Sequence, residues 1–257
     1  MLKYKIVLAL ALFSAFCNFS FSQKTKSPVS RDSFSRIELS FSIGYSRPLL
    51  EAYGEKASIN ATEDQILIDG KRLLVSDNLG TNTGFGVQTY LKYRFTKKGQ
   101  IKGLFNLGYN NLFGTYPGPS GYDFGVRLQS FSAGLGAEIN PIGHNSAVYP
   151  SVFGLMRLNF MGGESFHKAG LDFFKVSPRY GYSAGFKLNF KVKNTIDLFT
   201  GYSYSYDNAW NRQAAEEVII DGHVIALRDE KSSSNGLSSD RRFAYWALYL
   251  GMNFFIK

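Results

Sequence analysis

The chain has 257 residues, of which 44% are hydrophobic and 16% aromatic, and it carries a formal net charge of +9. A single cysteine excludes a disulfide framework and cysteine-rich metal sites. No stretch after residue 23 is apolar enough for a membrane-spanning helix, so any insertion into a bilayer must be as a closed barrel.

Residues 1–22 read as a secretory signal. Lys3 and Lys5 precede an apolar run over 6–16 that is too short to span a bilayer, and Ser20 and Ser22 suit signal peptidase. A lipoprotein reading would use Cys17, but bulky Phe16 stands where a lipobox has a small residue. Residues 23–35 are polar and aperiodic, a periplasmic lead-in to one domain over 36–257. The basic balance comes with no Lys/Arg-rich recognition helix, so nucleic acid is not the expected partner.

From residue 36 the pattern has period two, the mark of strands with one apolar face. The first strand, 36–46, sets Ile37, Leu39, Phe41, Ile43 and Tyr45 against Glu38, Ser40, Ser42 and Gly44. A polar segment, 47–83, follows. The second strand, 84–95, sets Phe85, Val87, Leu91 and Tyr93 against Gln88, Lys92 and Arg94, and turns at 96–100 into the third, 101–113. Its polar face has Lys102, Asn106 and Asn110. A Pro/Gly turn at 116–122 leads to the fourth, 123–140. There the apolar phase changes from Phe124, Val126, Leu128 to Phe131, Ala133, Leu135, which predicts a β-bulge near Ser130.

After a short turn at 140–146, the fifth strand covers 147–161 and a long loop covers 162–178. A hairpin over 179–206 turns at 193–195. In its first arm Tyr182, Phe186, Leu188 and Phe190 face away from Ser183, Lys187, Asn189 and Lys191. Residues 182–192, rising ~3.3 Å each and tilted about 45°, would cross the ~25 Å apolar band of a transmembrane barrel. The longest loop, 207–242, precedes a last strand over 243–257. Eight strands result, joined by connections that run long, short, medium, short, long, short, long. Transmembrane barrels show this asymmetry, with short periplasmic turns, long extracellular loops and both termini inside. The expected fold is all-β, an eight-stranded antiparallel up-and-down transmembrane barrel. The soluble alternative is a lipocalin-like barrel with its apolar face turned inward, but the first strand lacks a Gly-x-Trp.

Residues 36–257 resemble the eight-stranded OmpA/OmpX-like superfamily of outer-membrane barrels. The alternating aromatics from Tyr245 to Phe255 are similar to the carboxy-terminal signal read by the barrel assembly machinery, although Ile256 and Lys257 follow where that family ends on a bare aromatic. The resemblance implies a monomer in the outer membrane of a Gram-negative cell. Its partners would be outer-membrane lipid, the assembly machinery through the last strand, and a protein partner at the extracellular loops.

An apolar face on lipid puts the polar face in the lumen. Glu38, Arg94, Lys102, Glu138, Lys191 and Asp197 then fall low in the lumen, and Lys92, Arg127, Arg157 and Lys187 higher. Buried charges must pair or be hydrated, so a salt-bridge network that blocks the bore is expected, with a gated, anion-preferring pore as the alternative. Residues 65–75 and 217–227 each centre an Asp-Gly pair (Asp69 and Gly70, Asp221 and Gly222) between β-prone arms, which reads as two extracellular hairpins. Loop ordering alone is the first reading of these hairpins, and a sheet edge that suits a partner strand is the second.

Enzymatic barrels need histidine, serine or carboxylate groups converging at the outer rim. His144 falls in a predicted periplasmic turn, and His167 and His223 in outer loops near Glu164, Asp172 and Asp221. No metal-ligand spacing, phosphate loop or nucleotide fingerprint appears. The expectation is a non-enzymatic protein with no catalytic, cofactor-binding or metal-binding residues, acting in surface interaction, adhesion or envelope integrity. A narrow pore comes second and a lipid-modifying enzyme third.

Overall fold

The computed structural model describes residues 35–52, 67–68, 71–72, 81–117, 123–144, 146–167, 170–211, 224–226, 230–231, 239–240 and 242–256. The signal and most of the lead-in lie outside them, as do Asp69, Gly70, Asp221 and Gly222.

Eight long strands build the wall: β1 (Ile37–Leu49), β2 (Thr83–Arg94), β3 (Ile101–Pro117), β4 (Asp123–Ile139), β5 (Val148–His167), β6 (Gly170–Lys193), β7 (Ile196–Trp210) and β8 (Ala244–Ile256). Each pairs antiparallel with the next, and β8 returns to β1 from Ile37↔Ile256 to Leu49↔Ala244. The chain is therefore a closed eight-stranded antiparallel barrel. Closure satisfies the ladder on both sides of every strand and leaves no edge at membrane depth.

Side-chain parity gives the wall two unlike faces. Ile43, Leu135 and Leu250 are more than 60% exposed, while Glu38, Lys92, Lys102, Glu138 and Lys187 are wholly buried. The apolar side chains thus point outward and the charges inward, the reverse of a soluble barrel. Rings meet near both ends of the outer face. Tyr93 and Phe95 lie 5.4 Å apart near the β2–β3 turn, and Trp246 lies 5.8 Å from Tyr45 and 6.0 Å from Tyr202 toward the other end.

Two sequence expectations about the wall strands are corrected. The β4 register runs without interruption from Pro117↔Asp123 to Ile101↔Ile139, so there is no bulge at Ser130. The apparent phase change arises because Val126 and Leu128 point inward and are buried, which puts the apolar residues of upper β4 on the lumen side and Arg127 and Gln129 on the other. Residues 162–178 are not a long loop, since β5 and β6 continue through them as a paired hairpin that leaves only 168–169 between. The register irregularity on β5 falls instead between Met161 and Gly163.

The two loop hairpins expected from the Asp-Gly pairs are described only in part. Leu67–Ile68 pairs with Lys71–Arg72 around the first Asp-Gly, as a two-residue hairpin requires. In the second, Val224–Ala226 lies parallel to Phe173–Lys175 of β6, while the arm before Asp221 lies outside the described residues.

The turn end is latched by two connections. The His144 amide donates to the Lys98 carbonyl at 3.2 Å, and the Asn140 amide to the Gln100 carbonyl at 2.7 Å. Gly99 has φ +66°, and a Cβ there would run into the His144 ring. Gly99→Ala is therefore expected to cost about 1–3 kcal/mol in urea unfolding of the barrel in detergent micelles. Gly103→Ala, at extended φ with only the edge of Phe95 in reach, should cost less.

Candidate functional site

The interior is filled in layers. At the turn end the His144 ring lies 4.7 Å from Tyr149 and 5.7 Å from Phe255, which seats it under the barrel mouth. Tyr149 donates its hydroxyl to Asp197, and Arg94 stacks over Phe255 at 4.4 Å.

Above this base sits the charge cluster, assembled by the register. Glu38 faces Lys92, and Lys102 faces both Arg94 and Glu138 across its two strand pairings, all on inward positions. Lys92 Nζ lies 2.7 Å from Glu38 and 3.3 Å from Glu138, and Lys102 Nζ bridges the same two carboxylates at 2.9 Å each. Lys187 Nζ reaches Glu138 at 2.9 Å, and Arg94 reaches Glu38 at 3.5 Å. Four cations thus share two carboxylates. Aromatic faces meet part of the excess positive charge: Lys187 Nζ lies 4.3 Å from the Tyr90 ring centre, 4.6 Å from Phe153 and 5.4 Å from Phe199. Asn253 accepts a further hydrogen bond from Lys92 at 3.0 Å.

Next comes an apolar septum of Tyr90, Leu104, Phe153, Leu155, Phe199 and Tyr249, all buried. Beyond it a cavity of about 30 Å³ is lined by Ser42, Gln88, Asn106, Arg157, Tyr245 and neighbours. That is room for water-sized molecules and no more. Ser42 Oγ, Asn106 Oδ1 and Arg157 Nε have no hydrogen-bond partner among the described residues, which makes the cavity polar enough for water. Arg157 is held by Asp207 at 3.3 Å, the Tyr245 hydroxyl at 3.0 Å and Ser132 at 2.6 Å. Buried Leu112, Leu128, Met161 and Phe243 fill the top of the lumen.

The sequence-predicted lumen residues divide as follows. Glu38, Lys92, Arg94, Lys102, Glu138 and Lys187 come together in one cluster, because the long stems of Lys92 and Lys187 carry their ammonium groups to carboxylates on other strands. Asp197 lies at the base beside Tyr149, and Lys191 is half-buried one turn-ward step away, across from Asp197 in the register. Arg157 belongs to a separate, higher pair with Asp207. Arg127 is a correction: it lies on the outer face, 45% exposed, and pairs with Glu164 at 2.6 Å. It points outward because β4 keeps its register and Val126 and Leu128 take the inward positions.

Asp207 and the septum rings escaped the sequence reading. Asp207 continues the inward parity of Asp197, Phe199, Gly201, Ser203 and Ser205, and Tyr90 sits between inward Gln88 and Lys92. Parity extended without regard to polarity would have found both.

No protein-family model matches the chain, and no curated protein matches it. Solved structures do resemble it. Neisserial surface protein A is 14% identical, with a TM-score of 0.45 over 86% of this chain and 97% of that one. Ail, the attachment invasion locus protein of Yersinia pestis, solved with the heparin analogue sucrose octasulfate, is 14% identical, with a TM-score of 0.40 over 85% and 99%. The outer membrane protein OprG of Pseudomonas aeruginosa is 10% identical, with a TM-score of 0.44 over 87% and 97%. The likeness is one of fold.

Among the described residues no group of three or more His, Cys, Asp and Glu is placed to hold a metal. His144 is buried in the base, His167 ends β5, and His223 lies outside the described residues. The lumen is filled by the layers described above, and the unusual geometry lies at the other end. There β5 and β6 outrun the rest of the wall: β6 is 24 residues long, where β1 and β8 have 13 each. Tilted at about 45°, a strand of that length rises roughly 55 Å, about twice the height of an outer-membrane apolar band.

Proposed function

We propose that the protein is a non-enzymatic outer-membrane barrel that acts at the cell surface, through the sheet and loops it raises above the membrane. The observation that carries this reading is the filled bore. Among the described residues the charge cluster, septum and upper apolar layer cross the bore, and the cavity between septum and upper layer, about 30 Å³, holds nothing larger than water. What stands clear of the membrane in this reading is the β5–β6 extension together with the connections from β1 to β2 and from β7 to β8. Surface interaction or adhesion is the role such an anchor serves, and envelope integrity is its passive counterpart. The outward apolar face and the export signal expected over residues 1–22 support outer-membrane placement.

Two measurements test this. Purified protein in planar bilayers is expected to give no channel activity, and discrete anion-preferring conductance would overturn the plug in favour of a narrow pore. Cells expressing the full chain are expected to attach to protein-coated surfaces more than control cells. A variant with residues 164–175 replaced by Asn-Gly should fall to the control level while keeping its heat-dependent gel shift. Equal attachment with and without the extension would overturn the surface role.

A further inference from the structure

We propose that the rim of the barrel at its turn end binds the phosphate headgroups of anionic phospholipids in the leaflet it faces. The proposal rests on the surface reading above for its place in the cell, since that reading makes this leaflet the periplasmic one.

The charge of the rim comes from its connections. The β2–β3 turn carries Lys97 and Lys98, and the β6–β7 turn carries Lys193, all three exposed. None of the three has an ion pair among the described residues. The described carboxylates of this end are turned the other way: Glu38, Glu138 and Asp197 face the lumen and are wholly buried. Parity therefore leaves the outer side of the rim cationic, with no exposed carboxylate among the described residues to balance it.

The wall sets the height of these charges. Tyr93 and Phe95 are exposed on the outer face at this end, and such rings settle at the membrane–water interface. Lys97 and Lys98 follow Phe95 by two and three residues, which puts them just past the hydrocarbon, at the depth of lipid phosphates. Arg36 is fixed at the same level, where its Nη1 donates to the Tyr93 hydroxyl at 3.2 Å. In the closed sheet β6, β7, β8, β1, β2 and β3 are successive neighbours. Lys193, Arg36, Lys97 and Lys98 thus follow one another along an arc of the rim.

The backbone that carries the lysines is held in place. The Gln100 amide donates to Thr96 Oγ1 at 2.8 Å, the His144 amide to the Lys98 carbonyl, and the Phe255 amide to the Thr195 carbonyl at 3.0 Å. Fixed turns present their ammonium groups with less order left to lose on binding. The spacing favours lipid over an acidic protein. Cations spread over separate connections, at ring height around a wall, match separate phosphates along a perimeter. Ile142, 53% exposed at the β4–β5 turn, adds an apolar side chain that suits the same interface. The attraction grows with the number of basic residues near the membrane surface and weakens with salt.

The test uses the full chain in phosphatidylcholine vesicles with a trace of spin-labelled phosphatidylglycerol or spin-labelled phosphatidylcholine. Electron paramagnetic resonance reads the motionally restricted fraction of each. The parent is expected to favour phosphatidylglycerol by about threefold or more at low salt, and the ratio should fall toward one in about 0.5 M sodium chloride. The Lys97→Gln, Lys98→Gln, Lys193→Gln variant should lose most of the preference, and the variant with arginine at the same three positions should keep it. Equal ratios for the two lipids in the parent, or an undiminished preference in the glutamine variant, would overturn the proposal. Glycerol 3-phosphate should act no more strongly than sodium chloride of equal ionic strength. Stronger displacement would mean a site for soluble phosphates and would also overturn it. If the glutamine variant loses its heat-dependent gel shift, the salt and glycerol phosphate comparisons on the parent decide. Lys97→Cys in whole cells separates the two readings, because a membrane-impermeant maleimide should label it only after the outer membrane is permeabilised. Labelling of intact cells would sink the periplasmic placement of this end and leave the lipid preference measured in vesicles standing.

Discussion

Glu138→Ala is expected to lower the unfolding free energy by about 3–5 kcal/mol, the cost of breaking a buried ionic network by removing one partner. Glu138 is wholly buried and lies within 3.3 Å of three ammonium groups, those of Lys92, Lys102 and Lys187. With it gone, Glu38 is the one carboxylate of the cluster left to the buried cations Lys92, Lys102, Lys187 and Arg94. Lys187, which has no other carboxylate within 4.0 Å among the described residues, would be left to its three rings. The measurement is urea unfolding in detergent micelles, followed by the heat-dependent gel shift. Adding Lys187→Met to Glu138→Ala is expected to recover part of the loss, because it removes the cation that depends on that carboxylate. A Glu138→Ala variant within about 0.5 kcal/mol of the parent would mean that the lower lumen is wet, and would reopen the pore reading.

Phe186→Arg is expected to cost about 2–4 kcal/mol in lipid, the penalty for a cation on the lipid face near the bilayer midplane. Phe186 is 46% exposed on the outer wall, mid-way along the paired part of β6. Phe186→Leu should stay within about 1.5 kcal/mol, since it keeps an apolar contact with lipid. The neighbouring residue reverses a sequence-level expectation. Alternation alone makes Lys187→Ser mild, because serine is at home on a polar face. In the structure Lys187 spans the gap between Glu138 at 2.9 Å and the rings of Tyr90, Phe153 and Phe199, so its loss leaves both a cavity and an underpaired carboxylate. Lys187→Ser is accordingly expected to cost about as much as Phe186→Arg, by cavity and charge rather than by lipid. A harmless Phe186→Arg would show that this face does not meet lipid.

The sequence by itself determined the strands and their faces wherever one side meets lipid and the other the lumen. Lipid rejects polar side chains, so 36–46 and 182–192 alternate strictly and 84–95 nearly so, and the inward positions of Glu38, Lys92, Lys102, Glu138 and Lys187 follow from parity alone. That signal ends where the lipid does. Along 162–178 no apolar–polar alternation remains, yet the backbone stays paired as β5 and β6, so a stretch that reads as loop is the tallest part of the wall. The signal also misleads where the lumen is apolar. Val126 and Leu128 pack inward, which mimics a bulge at Ser130 and put Arg127 in the wrong place.

Only the tertiary structure decided which charges meet. The register brings Glu38, Lys92, Lys102 and Glu138 side by side from four strands, and closure of the wall lets Lys187 reach across from β6. The separate pairing of Arg157 with Asp207 and the septum between the two polar layers are likewise products of closure. Side-chain period is a property of one strand and can be read from it. Partners across a barrel depend on stagger and circumference, which no single strand encodes.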